Sequence, residues 1–169
     1  MEIHRFEKVW LALSLVLIVA FVGTITYGTI NEGIQMVDAS GGTVNPDDLP
    51  AAFDDPGVEK VGPGEYEVYV VANRFAFNPG TANPIRVPVG STVTFYVTSG
   101  DVVHGFNLAG TNLNTMVIPG QVAELTTQFD ERGTYGIVCH EYCGSGHHRM
   151  EGTLQVVPRS QFNATEGTA

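Results

Sequence analysis

Between Val9 and Ile30 the chain reads VWLALSLVLIVAFVGTITYGTI, 22 residues without a charge. At about 1.5 Å per residue a helix of that length spans about 33 Å, enough to cross a bilayer. The competing reading is a cleaved secretory signal, which has a shorter apolar core of about 7–15 residues and small residues at a cut site. No A-x-A pattern follows the run, so it reads as a retained anchor. His4, Arg5 and Lys8 precede it, and no Lys or Arg follows until Lys60. The positive-inside rule then predicts a cytoplasmic N-terminus, a single pass through the cell membrane, and a folded domain outside. Trp10 and Tyr27 sit near the two ends, where aromatic rings favour the interface.

The rest of the 169 residues has room for one globular domain. Residues 32–64 are rich in Gly, Pro and Asp and hold no sustained period, so they read as a tether between an anchor over 1–31 and a domain over 65–159. From Glu65 the pattern becomes period two. Tyr66, Val68 and Val70 alternate with Glu65, Glu67 and Tyr69, and Val93, Phe95 and Val97 alternate with Thr92, Thr94 and Tyr96. Ala123, Leu125, Thr127 and Phe129 follow the same rule, as do Tyr135, Ile137 and Cys139, then Leu154 and Val156. Short strands divided by Gly and Pro turns predict an all-β sandwich or Greek-key barrel. The polar residues 160–169 read as a frayed tail, with a glycosylation triplet at Asn163.

Eighteen acidic residues face eight basic ones, for a net charge of −10. With two lysines in the chain, nucleic acid is excluded as a partner, because phosphate binding needs clustered Lys and Arg. A cationic partner would be steered in. The same composition fits work in concentrated salt, as in a halophilic archaeon, or simply an acidic surface that keeps a small domain soluble.

Both cysteines lie in CHEYCGSGHHRM, residues 139–150, at the spacing C-x3-C-x3-H-x2-M. Two thiols, an imidazole and a thioether form a soft donor set suited to copper. Upstream, His104 lies in DVVHGFN. The alternation puts Cys139 on the core-directed face at the end of one strand, and the run after Met150 forms the next, so the loop is held at both ends. Outside the cytoplasm two cysteines could form a disulfide, but a disulfide has no use for His147 and Met150 at fixed offsets. Structural zinc would accept Cys2His2, but methionine is a poor zinc ligand. A mononuclear blue-copper site leaves one cysteine unused. Two thiolates could instead bridge two copper ions, each completed by one imidazole and one weak axial donor.

On these residues, and on NPIRVPVGSTVTFYVTSGDVVHGFN and CHEYCGSGHHRMEGTLQVV, the chain resembles subunit II of the haem-copper cytochrome c oxidases from about Phe6 to Val157. The single helix resembles the B-type, or ba-type, branch. The resemblance implies a cupredoxin-like domain with a dinuclear copper A centre. Cys139 and Cys143 would bridge the coppers, His104 and His147 would each bind one, and Met150 and the backbone carbonyl of Glu141 would be axial ligands. It further implies an electron-input role within an oxidase: electrons pass from cytochrome c or a small blue-copper protein to haem in subunit I, where oxygen is reduced and protons are moved. Many family members use a glutamate at the Glu141 position to hold magnesium at the contact with subunit I, whereas B-type members more often carry glutamine, so magnesium stays an open alternative. Glu7, in RFEKVWLALSL, aligns with a glutamate at the mouth of the proton-uptake path of subunit I, or is only a solvated flank. His140 and His148 fall off the ligand positions and read as loop-surface residues or as side chains packed just behind the ligands; His4 reads as a membrane flank. Phe75 and Phe77 fall in a segment that in the family packs near the copper, and at least one of them reads as core. Two rivals stand beside this reading. The copper A domain of a nitrous oxide reductase needs a propeller that 169 residues cannot hold, and a membrane-tethered cupredoxin or copper carrier would act without an oxidase.

Overall fold

The computed structural model describes residues 4–31 and 38–163. The chain divides into two compact units, 1–35 and 36–169.

In the first unit, helix α1 runs Arg5–Asn31, with a mean hydropathy of 2.4 over its most apolar window. Its leucines, isoleucines and valines are exposed all round, and it buries no residue. A helix apolar on every side is one built for hydrocarbon rather than for one face of a soluble core. The hydroxyls of Thr24 and Thr26 donate to the carbonyls of Ala20 and Val22, both at 2.9 Å, so their polar atoms are satisfied within the helix. At its start the backbone N–H of His4 donates to Glu7 Oε2 at 2.9 Å.

The second unit is a two-sheet sandwich. Its strands are β1 (Val58–Gly62), β2 (Glu65–Asn73), β3 (Ala76–Asn78), β4 (Ile85–Pro88), β5 (Ser91–Ser99), β6 (His104–Leu108), β7 (Asn114–Val117), β8 (Ala123–Phe129), β9 (Gly133–Val138) and β10 (Glu151–Val157). One sheet runs β1-β2-β5-β8, with β3 also paired to β2; the other runs β4-β10-β9-β6-β7. Most pairs are antiparallel, but β2 runs parallel to β5 and β4 parallel to β10. The strands expected from the period-two runs point their apolar members inward: Tyr66, Val68, Val70, Val93, Phe95, Val97, Leu125, Phe129, Ile137, Leu154 and Val156 form one core. Phe106 is its aromatic pivot, with ring centroids 5.8 Å from Phe77 and 5.9 Å from Phe95. Such pairs add about 0.5–1.5 kcal/mol beyond their burial.

The composition of residues 32–64 predicts a tether, and the structure corrects this. Residues 32–37 lie outside the described residues, but 38–64 are part of the sandwich. The segment adds a bridge from Thr43 to Gln121, a short helix α2 (Ala51–Asp54) and the edge strand β1. Phe53 is buried with Val71 and Val122 on the outer face of the first sheet, beside Tyr69 and Tyr96. That face is therefore a second, smaller core. The fray expected from Ser160 is not seen at Gln161 and Phe162. The Phe162 ring stands edge-on to Tyr66 at 5.1 Å, and Arg86 donates to the Gln161 carbonyl at 3.1 Å. Residues 164–169, including the rest of the Asn163 triplet, lie outside the described residues.

Candidate metal centre

Strands β9 and β10 are antiparallel neighbours, paired from Val156↔Gly133 to Glu151↔Val138. Residues 139–150 are thus an excursion whose two ends are hydrogen-bonded to each other, the last link being Cys139 N–H to the Met150 carbonyl at 3.3 Å. Within it, 3-10 helix His147–Arg149 makes the return. Gly144 bends the chain at φ +132°, a conformation that L side chains rarely adopt. On the other side β9 pairs β6 at Asn107↔Val138, which carries His104 and Gly105 past the end of β9 and alongside Cys139.

The residues singled out in the sequence converge. His104, Cys139 and Cys143 place their donor atoms within 4.8 Å of one another, and all three are buried. The two sulfurs are 3.9 Å apart, and both cysteines are free. A disulfide would hold them at about 2.0 Å. His104 Nδ1 lies 3.2 Å from Met150 Sδ and 3.9 Å from Cys139 Sγ. Met150 Sδ is 3.6 Å from Cys143 Sγ, His147 Nδ1 is also 3.6 Å from Cys143 Sγ, and the Glu141 carbonyl oxygen is 3.2 Å from Cys139 Sγ. The donor set passes a chemical test for a soft metal: sulfur and imidazole converge, and the carboxylates of Asp101 and Glu141 are engaged elsewhere.

The surroundings fix these atoms. His104 is fully buried, and its Nε2 meets Asp101 Oδ1 at 2.7 Å, which leaves Nδ1 to face the sulfurs. Burial pushes the Asp101 carboxyl up, but hydrogen bonds from His104 and from the N–H groups of Arg74 and Val102 outweigh it and hold the group below the usual carboxylate range. For Cys143, burial and then the neighbouring Cys139 thiol push the pKa up to about 11, so a metal that takes the thiolate must displace a proton. The Gly105 N–H points at Cys139 Sγ from 3.4 Å and offers a donor to the thiolate.

The residues expected to be bystanders divide. The His140 ring lies against Gly105, meets the Thr115 carbonyl at 3.2 Å through Nε2 and stands 3.5 Å from the Glu141 carboxylate. His148 is exposed. Phe77 is core, whereas Phe75 lays its ring over Gly144 and Gly146. Two residues of the surroundings escape a reading of the sequence: Asp101 and Arg74. Asp101 stands three residues before His104, a local signal that is available. Arg74 lies far from the motif in sequence and leaves none.

A family model for the periplasmic domain of cytochrome c oxidase subunit II matches residues 68–157. The chain belongs to that family. A cytochrome c oxidase subunit 2 of Thermus thermophilus is 41% identical over 162 residues, covering 91% of this chain and 93% of the relative. A second Thermus thermophilus protein of that name is 46% identical over 99 residues, or 59% of this chain and 71% of the relative. Among solved structures, a chain of a haem-copper terminal oxidase dimer superposes with a TM-score of 0.72 at 36% identity, over 90% of this chain and 100% of that one. The periplasmic domain of subunit II of the Bradyrhizobium japonicum cytochrome oxidase (TM-score 0.55, 21% identity, 59% of this chain and 89% of that one) agrees in fold. Subunit II is part of an oxidoreductase complex. Membership of this family implies a copper A centre, and the cluster of His104, Cys139 and Cys143 fits one. One apolar N-terminal helix followed by a periplasmic-type domain fits a single-pass membrane protein.

Proposed function

We propose that the chain is the electron-input subunit of a terminal cytochrome c oxidase and that its centre holds two copper ions. Cys139, Cys143, His104, His147, Met150 and the backbone carbonyl of Glu141 would hold the pair. One observation carries the reading. His104 Nδ1 lies 3.9 Å from Cys139 Sγ, whereas His147 Nδ1 lies 3.6 Å from Cys143 Sγ. The two imidazoles thus address the thiols separately, an arrangement that supports two metals better than one tetrahedral ion.

When bound, the copper pair takes up and hands on one electron at a time. The protein's part is to keep the donors still. Asp101 holds the His104 ring through Nε2, Gly105 donates toward Cys139 Sγ, and the β9–β10 pairing closes the loop. Cys139, Cys143 and Met150 are each at most 4% exposed, so water is kept from the sulfurs. A rigid, dry site has little to rearrange when its charge changes.

In this reading haem-bearing subunit I receives the electron, and cytochrome c or a small blue-copper protein supplies it. The net charge of −10 favours a cationic donor. Helix α1 lies in lipid with its N-terminal end on the cytoplasmic side, and residues 38–163 form the copper unit outside. Glu7, in the first turn of α1, is either a solvated flank of the helix or a residue at the mouth of the proton path of subunit I; in the second case Glu7→Gln should slow turnover and leave the copper spectrum unchanged.

Copper analysis and visible spectroscopy of the purified chain test the core of the proposal. About two coppers per chain and a purple mixed-valence spectrum are expected. One copper with an intense blue band would sink it in favour of a mononuclear cupredoxin. Co-purification with a haem subunit separates an oxidase from a free copper carrier.

A further inference from the structure

The turn between β2 and β3 consists of Arg74 and Phe75, and both side chains reach the metal loop. Arg74 Nε donates to the Cys143 carbonyl at 3.2 Å and stands 4.0 Å from Asp101 Oδ2. The Arg74 backbone N–H donates to that same Oδ2 at 2.9 Å. The other carboxylate oxygen, Oδ1, is the one that meets His104 Nε2 at 2.7 Å. A single arginine therefore links the arm bearing His104 to the arm bearing Cys143. Phe75, packed over Gly144 and Gly146, holds the turn in place against the loop.

The charge matters as well as the geometry. A guanidinium is always protonated, and here it sits against a carboxylate that would by itself favour the more oxidised, more positive centre. The Arg74 side chain is 51% exposed and that of Asp101 28%, so solvent weakens the field of the pair without removing it.

We propose that Arg74 is a positioning residue of the copper centre: it ties Cys143 to the Asp101–His104 pair and supplies a positive charge that favours the reduced state. The inference rests on the copper reading given above. Because Arg74 is half exposed, its replacement leaves the core intact.

The test compares the copper-loaded full chain in detergent with Arg74→Gln and Arg74→Lys, by redox titration and by the copper hyperfine pattern. Arg74→Gln should shift the one-electron equilibrium toward the oxidised form by about three- to tenfold, where tenfold corresponds to about 59 mV, and should alter the hyperfine pattern. Arg74→Lys keeps the charge and should recover most of the shift in potential. A potential and spectrum unchanged in Arg74→Gln would overturn the inference while leaving the copper reading intact. An Arg74→Lys potential as low as that of Arg74→Gln would also overturn it, since the effect would then be structural and not electrostatic. A wild-type chain that loads no copper pair overturns the underlying reading and the inference together.

Discussion

The imidazole of His140 covers Gly105 so closely that a Cβ there would lie 2.6 Å from the ring. Gly105→Ala should push the ring away from the Thr115 carbonyl and disturb the N–H aimed at Cys139 Sγ. A loss of about 1–2 kcal/mol is expected, the scale of a hydrogen bond broken in a partly buried site. In a His140→Ala background the same alanine should cost less, because the obstruction is gone. Denaturant melts of the four chains provide the cycle, and strictly additive effects would refute the contact.

Met150 is 2% exposed and holds its sulfur 3.2 Å from His104 Nδ1. Met150→Leu conserves volume, so the fold should lose less than about 1.5 kcal/mol. Copper should still bind through the remaining donors, with a shifted absorption band and a changed hyperfine pattern. A spectrum identical to wild type would remove Met150 from the ligand set.

Asp38 joins the start of the β unit to β8. Its Oδ1 accepts from the Ser40 N–H, the Ser40 hydroxyl and the Glu124 N–H at 2.9, 2.6 and 3.1 Å. Burial raises its pKa, but these bonds more than offset the effect and hold it below 3.8. A carboxyl depressed on folding contributes stability that is present above its unfolded pKa of about 3.9 and is lost as pH falls through the folded value. Asp38→Asn should therefore cost about 1–2 kcal/mol at neutral pH. The gap from wild type should narrow below about pH 4 in denaturation measured across pH.

Phe53 meets Tyr69 edge-on at 5.4 Å, and Tyr69 stacks on Tyr96 at 5.2 Å. Phe53→Ala should cost about 3 kcal/mol by emptying this second core. Its effect on the copper spectrum should be nil, because the cluster lies on the outer face of the first sheet while the donors hang from the second. A spectral change would show that the two regions are coupled.

The readable parts of the sequence are those with a local period or spacing. Val93, Phe95 and Val97 announce an inward face because each strand alternates about a single core, and the donors of residues 139–150 announce themselves because one loop carries most of them. The segment 38–64 carries no such signal. Val44, Leu49, Phe53 and Val58 follow no period, since each answers to a different part of the sheet. Tyr69 and Tyr96, packed with Phe53, Val44 and Leu49, occupy outward strand positions that read as solvent-facing. Phe75 and Phe77, two residues apart, look equivalent in the sequence; only the turn at Arg74 sends one over the metal loop and the other into the core. Arg74 itself pairs with groups 27 and 69 residues away, a separation that no local pattern encodes.

Because Val138 and Glu151 are ladder partners, the feet of the metal loop stand on adjacent rungs of one sheet. Any thermal fluctuation that spread Cys139 from Met150 would have to unzip β9 from β10, the strands that carry Ile137 and Leu154 into the core. The stiffness felt by the sulfurs is thus borrowed from the whole sandwich, and the tunnelling distance to a redox neighbour inherits the constancy of a hydrophobic core instead of the wander of a surface loop.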